Sequence, residues 1–539
     1  MKKRKNVIVM LLSTLLSIFL IVGNSFKKKG SFEFITNHLI IHTVTFLILI
    51  FIFYKVISFL FKKLDNIKWK ESQEFNKIIK IFNEYPFLFC FIIILICWLP
   101  YIISFYPAIL SPDPSYQIMQ FFHIDNKYST YSILLDPSVI ITNHHPVIHT
   151  LLLGSMVKIG TLLGSVNIGL FLYSIIQILI LSSTLSYTIV FLKNIKIPKK
   201  YLLLCLIIYA LTPVFPFYSM SAVKDVIFGS LIILYIISIY QFMNKKEITF
   251  KDMLKELLLM ILIILFRNNG FHVILLSFPF LLFYKNKKQI LMIFLLMLTF
   301  NVTYNKVILP YFKITPSSIR EVLSIPFQQT ARYVNEYDSE VSGKDKKIID
   351  QILEYDTLAT RYNPELADPV KNKFNRYYKS EDLKEYFKVW KKELFKHPIT
   401  YIEATVHNTY GYFYPFKTNW YFYHKYDTRI VKIGFDYHYN SLSSERNFLT
   451  IIATIFPYIP VIGFLVNIGF NSWILLFMAC YLIYQKKYKS LVVLLPSFVL
   501  LLVCIASPAN TYFRYALPNI FAMPLLFGIF LKDCETKKM

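Results

Sequence analysis

Apolar runs long enough to cross a bilayer recur along this chain, and they leave it few folds to choose from. Helices of roughly 17–25 apolar residues match a hydrocarbon core of about 30 Å, and in lipid a helix satisfies all of its own backbone groups. Such runs fall at 7–23, 37–60, 85–105, 167–192, 201–217, 226–242, 253–266, 271–284, 289–305, 460–484, 490–506 and 515–531. The composition agrees, at 55% hydrophobic with a mean hydropathy of +0.49 over 539 residues. The expected fold class is therefore an all-α polytopic membrane protein with about 12 transmembrane helices.

The 58 Lys+Arg against 32 Asp+Glu, a net charge of +26, do not indicate nucleic-acid binding. The lysines sit in short clusters at the ends of apolar runs, where short loops set orientation. With a cytoplasmic N-terminus, Lys62-Lys63, residues 193–200, Lys245-Lys246, 285–288, Lys486-Lys487 and the tail Lys537-Lys538 all fall inside. Lys27-Lys28-Lys29 alone falls outside. The start Met1-Lys2-Lys3-Arg4-Lys5 resembles a signal peptide but lacks a clean small-x-small site, so it reads as an uncleaved first helix. Lys, Ile, Asn and Phe are abundant and glycines number only 14, as in an AT-rich bacterial genome. The expected location is the bacterial plasma membrane, multi-pass, with both termini cytoplasmic. Six cysteines lack CxxC or metal spacing and read as small buried hydrophobes.

This threading gathers the distinctive polar motifs on the outer face: the 106–166 loop, 219–225, 267–270, 306–446 and 507–518. Segments 146–163 and 447–458 read as interfacial or re-entrant helices. Segment 306–446 holds more than half of the 32 acidic residues and turn signals such as Asn363-Pro364. Amphipathic patches near 345–358 and 380–396 mark it as a mainly helical extracytoplasmic insertion. The expected organisation is 1–84 as N-terminal spans, 85–305 as a catalytic core, 306–446 as the insertion and 447–539 as C-terminal spans. No long internal repeat is visible, which weakens an inverted-repeat transporter.

Five motifs could carry chemistry. Asp113 lies between Pro112 and Pro114, so the chain there is expected to be extended. Partial desolvation would raise its pKa toward that of a general base, while a turn residue or helix cap is the plain alternative. Asn143-His144-His145-Pro146 offers imidazoles for a phosphate, a sugar hydroxyl or a metal, or else a polar cluster tying the loop. Lys224-Asp225 is an ionisable pair at a span end, costly unless paired or wetted. Arg267-Asn268-Asn269-Gly270 links two short helices, and its Arg suits bidentate phosphate recognition or simple snorkelling. Arg514 opens the last span and could bind an anionic lipid head; Glu321 and Arg332 of the insertion join it as binding candidates or as a structural ion pair. Aromatic residues of 401–424 (Tyr410, Tyr412, Phe413, Tyr414, Trp420, Tyr421) suit sugar stacking or an interfacial belt.

No Walker A, HExxH or GxSxG occurs, so energy would arrive in an activated substrate. An isoprenoid-linked phosphosugar fits, with its tail in lipid and its leaving phosphate stabilised by Lys224, Arg267 or Arg514. In order and in shared face, these motifs resemble the GT-C superfamily of integral-membrane glycosyltransferases. The closest branch contains protein O-mannosyltransferases and lipid A aminoarabinose transferases. Ser111-Pro112-Asp113 looks like the superfamily's acidic residue in the first large outer loop. His145-Pro146-Val147-Ile148-His149 looks like its His-Pro element, and Asp225 like its second outer aspartate. The chain is also similar to a family of Gram-positive membrane proteins with SxD, NHHP, KD and FRNNG elements. The resemblance covers 85–305 well and the remainder loosely. It implies Asp113 and Asp225 as catalytic, a polyprenyl-phosphate sugar donor, and a cell-envelope glycan, lipid or protein acceptor. Where the superfamily has Asp-Glu or Asp-Asp, this chain has Asp113-Pro114, so a divalent metal has no clear ligand set and none is assigned. The competing readings are an envelope-lipid transporter or flippase, whose polar residues would line a mid-membrane path, and a membrane acyltransferase or polysaccharide polymerase, centred for the acyltransferase on His145.

Overall fold

The computed structural model describes residues 2–67, 77–128, 141–417, 421–423, 425–507 and 509–535. Trp420, Lys537 and Lys538 lie outside them. The described residues are overwhelmingly helical. The helices used below are α1 (Lys2–Lys29), α2 (Leu39–Asp65), α3 (Pro86–Ser104), α4 (Pro112–Phe121), α5 (Val147–Leu162), α6 (Val166–Asn194), α7 (Lys224–Asn244), α8 (Phe250–Phe266), α9 (Gly270–Ser277), α10 (Lys287–Thr303), α11 (Ser324–Tyr337), α12 (Ser380–Lys396), α13 (Pro398–Thr409), α14 (Ile468–Tyr484), α15 (Leu495–Ile505) and α16 (Phe513–Cys534). One parallel ladder pairs β1 (Ile141–Thr142) with β2 (Ile314–Thr315).

Eight helices among the described residues are long and apolar enough to cross a membrane: α1, α2, α3, α6, α7, the helix containing α10, the one ending in α15, and α16. The other four predicted spans are shorter or broken. Thr212 and Pro213 interrupt 201–217 between Lys199–Leu211 and Val214–Ser219. Asn467 caps α14 and separates it from a short 3-10 turn at Ile462–Val466. Helix α8 stops at Phe266, and α9 passes into a 3-10 turn at Phe278 beside Pro279.

Burial sorts the spans. The most apolar windows of α7, α16 and α6 are 78%, 72% and 61% buried, whereas that of α2 is 11% buried. The first three form the core, and α2 presents Ile40, Leu47, Phe51 and Phe59 outward, as a helix facing lipid does. The α1–α2 hairpin crosses the whole molecule. At one end Lys5 pairs with Asp65 at 3.3 Å, and Tyr481 and Tyr484 donate to the same carboxylate. At the other, Arg332 donates to the Gly30 carbonyl and Glu403 accepts from Phe32 N–H. Lys27–Lys29 therefore shares the insertion's end of the molecule.

The insertion has its own small core of Phe327, Tyr333, Leu353, Phe374, Tyr386 and Tyr401. Helix α12 coincides with the predicted 380–396 patch, while the 345–358 patch contracts to Gly343–Asp350. Beyond Thr409 the chain leaves this core: Ile430 and Tyr437 pack with Ala108, Leu110 and Leu170 instead. The predicted 140-residue insertion is thus a helical unit plus a strap laid across Ala108 and Leu110. Tyr410, Tyr412 and Tyr414 are buried, and Tyr412 donates to the Ala509 carbonyl. These rings brace the late loop and form no open platform for a sugar.

Candidate functional site

Five helix N-termini meet at one place. Asp113 is in the first turn of α4, His145 lies two residues before α5, and Lys224-Asp225 opens α7. Arg267-Asn268-Asn269 leads into α9, and Arg514 is the second residue of α16. Each N-terminus presents the positive end of a helix dipole, with Pro112 and Pro114 removing most of the free N–H groups from α4, so the convergence favours anions.

Sequence chemistry sets the approach of each element. Ser111 is extended, but helix begins at Pro112 and includes Asp113, contrary to the extended chain expected there. A proline at the first helical position has its φ preset and lacks only an N–H that would be unpaired anyway. Backbone exchange between Ile109 and the Met220/Ala222 amides and carbonyls sets α4 beside α7. The Asn143 N–H donates to Thr315, and Asn268 Nδ2 donates to the Asn143 carbonyl at 2.8 Å. This stitches the histidine loop to both the insertion and the α8–α9 turn. A Cβ at Gly270 would lie 2.4 Å from the Ile263 carbonyl oxygen, so only glycine allows so close a turn.

The charges form a chain. Arg514 Nη2 donates to Asp113 Oδ2 at 2.6 Å, and its Nε lies 3.2 Å from Asp225 Oδ2. Asp225 also pairs with Arg267, whose guanidinium lies 4.8 Å from the Tyr515 ring centre. Lys224 and Asp225, read as a pair in the sequence, point to different partners. Lys224 Nζ reaches His145 Nδ1 at 3.2 Å, and among the described residues no carboxylate lies within ion-pair distance of it. Three basic side chains thus meet two carboxylates. Because an ammonium only donates, His145 Nδ1 accepts, so its proton sits on Nε2. That Nε2–H is buried and has no partner.

Exposure separates the two aspartates. The Asp113 side chain is 26% exposed and that of Asp225 is 0%, so Asp113 can meet a substrate while Asp225 holds Arg267 and Arg514 in place. Burial alone would raise the Asp113 carboxyl, but Arg514 and Lys224 hold it well below the usual carboxylate range. The raised pKa expected from desolvation is overturned by this ring of cations.

A second cluster lies on the insertion side. Glu321 accepts from Lys371 at 2.5 Å and from Arg320 at 3.1 Å, and His144 Nδ1 is 3.9 Å away. Burial pushes His144 down to about 4, and Tyr128 stacks on it at 4.1 Å. Arg332 belongs to neither cluster: it pairs with Glu403 and Glu336 and fastens the insertion to α1. Among the described residues no three His, Cys, Asp or Glu side chains are grouped to hold a metal ion.

Sequence reasoning missed the layer beneath. His149 lies between Gln117 and Tyr173, 3.1 and 2.7 Å away, and Gln177 Nε2 donates to the carbonyls of Tyr218, Ser219 and Ser221. Tyr173 and Gln177, one turn apart on α6, were the available signal.

No curated protein and no solved structure matches the chain. The model of the family of unknown function DUF6020 matches residues 2–538, and the chain belongs to that family.

Proposed function

We propose that the protein is a membrane glycosyltransferase that moves a sugar from a polyprenyl-phosphate donor to a cell-envelope acceptor at the outer face of a bacterial plasma membrane. In this reading the four shorter helical segments complete about 12 passes, with both termini cytoplasmic. One observation carries it: three cations and five helix N-termini gather around only two carboxylates at the membrane end of α7 and α16. That surplus suits an anionic head group whose tail stays in lipid.

The chemistry follows. The acceptor hydroxyl oxygen attacks the anomeric carbon, the carbon–oxygen bond to phosphate breaks, and polyprenyl phosphate departs with the electron pair. Lys224 and Arg514 stabilise the charge gathering on that phosphate. Asp113 takes the hydroxyl proton. Its cations make it a weak base, and a docked phosphate, sharing Arg514 and Lys224, raises it toward the ordinary range. His145 Nε2–H donates to a sugar or phosphate oxygen. A proton on Nε2 also counts against the acyltransferase reading, in which His145 would be the base, and the one-ended clustering of charge counts against a transport path.

Mass spectrometry of polyprenyl-linked sugars and envelope glycans tests this. A strain lacking the gene is complemented with wild type or Asp113→Asn. A lipid-linked sugar should accumulate, and one glycan modification should vanish, with the Asn variant as with no gene. An Asn strain indistinguishable from wild type removes Asp113 as the base and overturns the reading.

A further inference from the structure

The first hairpin carries charges that the transfer centre does not use. Lys27, Lys28 and Lys29 form the last turn of α1, all exposed, on the end where short lysine-rich loops are disfavoured in the orientation proposed above. Among the described residues none of the three has a carboxylate within ion-pair distance. Lys27 Nζ donates to the Phe416 carbonyl at 3.2 Å, and Lys28 Nζ sits 4.3 Å from the centre of the Phe34 ring. The nearby Glu33 accepts from Asn37 instead. Three cations without counter-ions beside a low-dielectric surface attract anionic lipid.

A groove of about 430 Å³ opens beside them between α1 and α2, within the size range of small-molecule sites. Its mouth has Lys28, Asn24, His38 and His42, and its lower walls are Leu20, Ile21, Ile41 and Leu49. His38 and His42 are one turn apart on the same face, with ring centres 6.5 Å apart. Polar groups at the mouth and apolar walls running toward the bilayer match one amphiphile's two ends.

We infer that this groove binds an anionic phospholipid of the surrounding bilayer, its phosphate held by Lys28, His38 and His42 with Lys27 and Lys29 adding attraction from the rim, and one acyl chain laid along Leu20, Ile21 and Leu49. The donor lipid is not the occupant, and the inference stands apart from glycosyl transfer.

The test uses the full-length protein purified in neutral detergent and mixed with equal amounts of phosphatidylglycerol and phosphatidylcholine. Retained lipid is counted by native mass spectrometry. Wild type should keep phosphatidylglycerol in preference, and Lys27→Gln/Lys28→Gln/Lys29→Gln should lower that preference at least about fivefold. Thr45→Phe, which fills the groove and leaves every charge, should lower total retention; it decides the matter if the triple variant does not fold. Lys62→Gln/Lys63→Gln, at the opposite end of α2, should match wild type. No preference in wild type, or an unchanged preference in the triple variant with undiminished retention in Thr45→Phe, overturns the site.

Discussion

Two groups of cations share one end of this molecule, and they are built on opposite principles. At the α7–α16 centre, Arg267, Arg514 and Lys224 are enclosed, and the two guanidiniums are fixed by carboxylates. At the α1–α2 hairpin, Lys27–Lys29 is exposed, without carboxylate partners and set over an open groove. The contrast follows from solvation. A charge out of water needs a fixed partner to be tolerated, so the centre is preorganised before any ligand arrives. An exposed ammonium keeps its water and can wait for a mobile anion. The first arrangement suits chemistry, and the second suits reversible attachment.

The contrast is broken most directly at Asp225. Replacing it with Asn leaves Arg267 and Arg514 buried with one carboxylate, Asp113, between them. Breaking a buried pair this way costs about 3–5 kcal/mol, so the unfolding midpoint in detergent should fall by many degrees. Asp113→Asn should fall much less, because that side chain is 26% exposed and its Arg514 partner keeps Asp225. Equal losses for the two variants would mean that the aspartates do not differ in role.

How far the sequence anticipated this depends on whether a residue's partner lies nearby in the chain. The eight long spans were legible because an uninterrupted apolar run dictates its own conformation. The members of the centre were legible too: Asp113, His145, Lys224, Asp225, Arg267 and Arg514 were each conspicuous as polar groups at helix ends. Their pairing was not. Lys224 and Asp225 are adjacent yet turn to His145 and to two arginines from elements 42 and 289 positions away (267 − 225 and 514 − 225). Glu321 and Arg332 looked like a pair and are held by Lys371 and Glu403 instead. The depressed Asp113 carboxyl was illegible for the same reason, since local burial argued upward and distant cations decided the sign. Helix at Asp113 was a local matter misjudged: two prolines ended the preceding chain and also began the next helix.

Acid sharpens the comparison. Burial holds His144 at about 4 against an ordinary 6.5, so between those values the unfolded chain takes up a proton that the folded protein refuses. Stability should therefore fall as pH is lowered from about 6.5 to about 4. Glu321 is depressed, its own burial outweighed chiefly by Lys371; its stabilisation is complete above its ordinary 4.5 and is lost only at lower pH. His144→Gln should flatten the unfolding midpoint between pH 6.5 and 4.5 without flattening it completely, because burial depresses His145 in the same sense. A variant with the wild-type slope would show that His144 is not held neutral.

The hairpin lysines should move stability least. They are exposed and form no ion pair among the described residues, so Lys27→Gln/Lys28→Gln/Lys29→Gln should change folding by less than about 0.5 kcal/mol. Salt then tells the two clusters apart. Between 0.1 M and 1 M the screening length shrinks from about 10 Å to about 3 Å, which weakens attraction between exposed lysines and a lipid phosphate but barely reaches an enclosed pair. Phosphatidylglycerol retention should fall across that range, while the gap in unfolding midpoint between wild type and Asp225→Asn stays constant. If the Asp225 gap closes with salt, water and ions enter the centre freely, and its cations are no more preorganised than those of the groove.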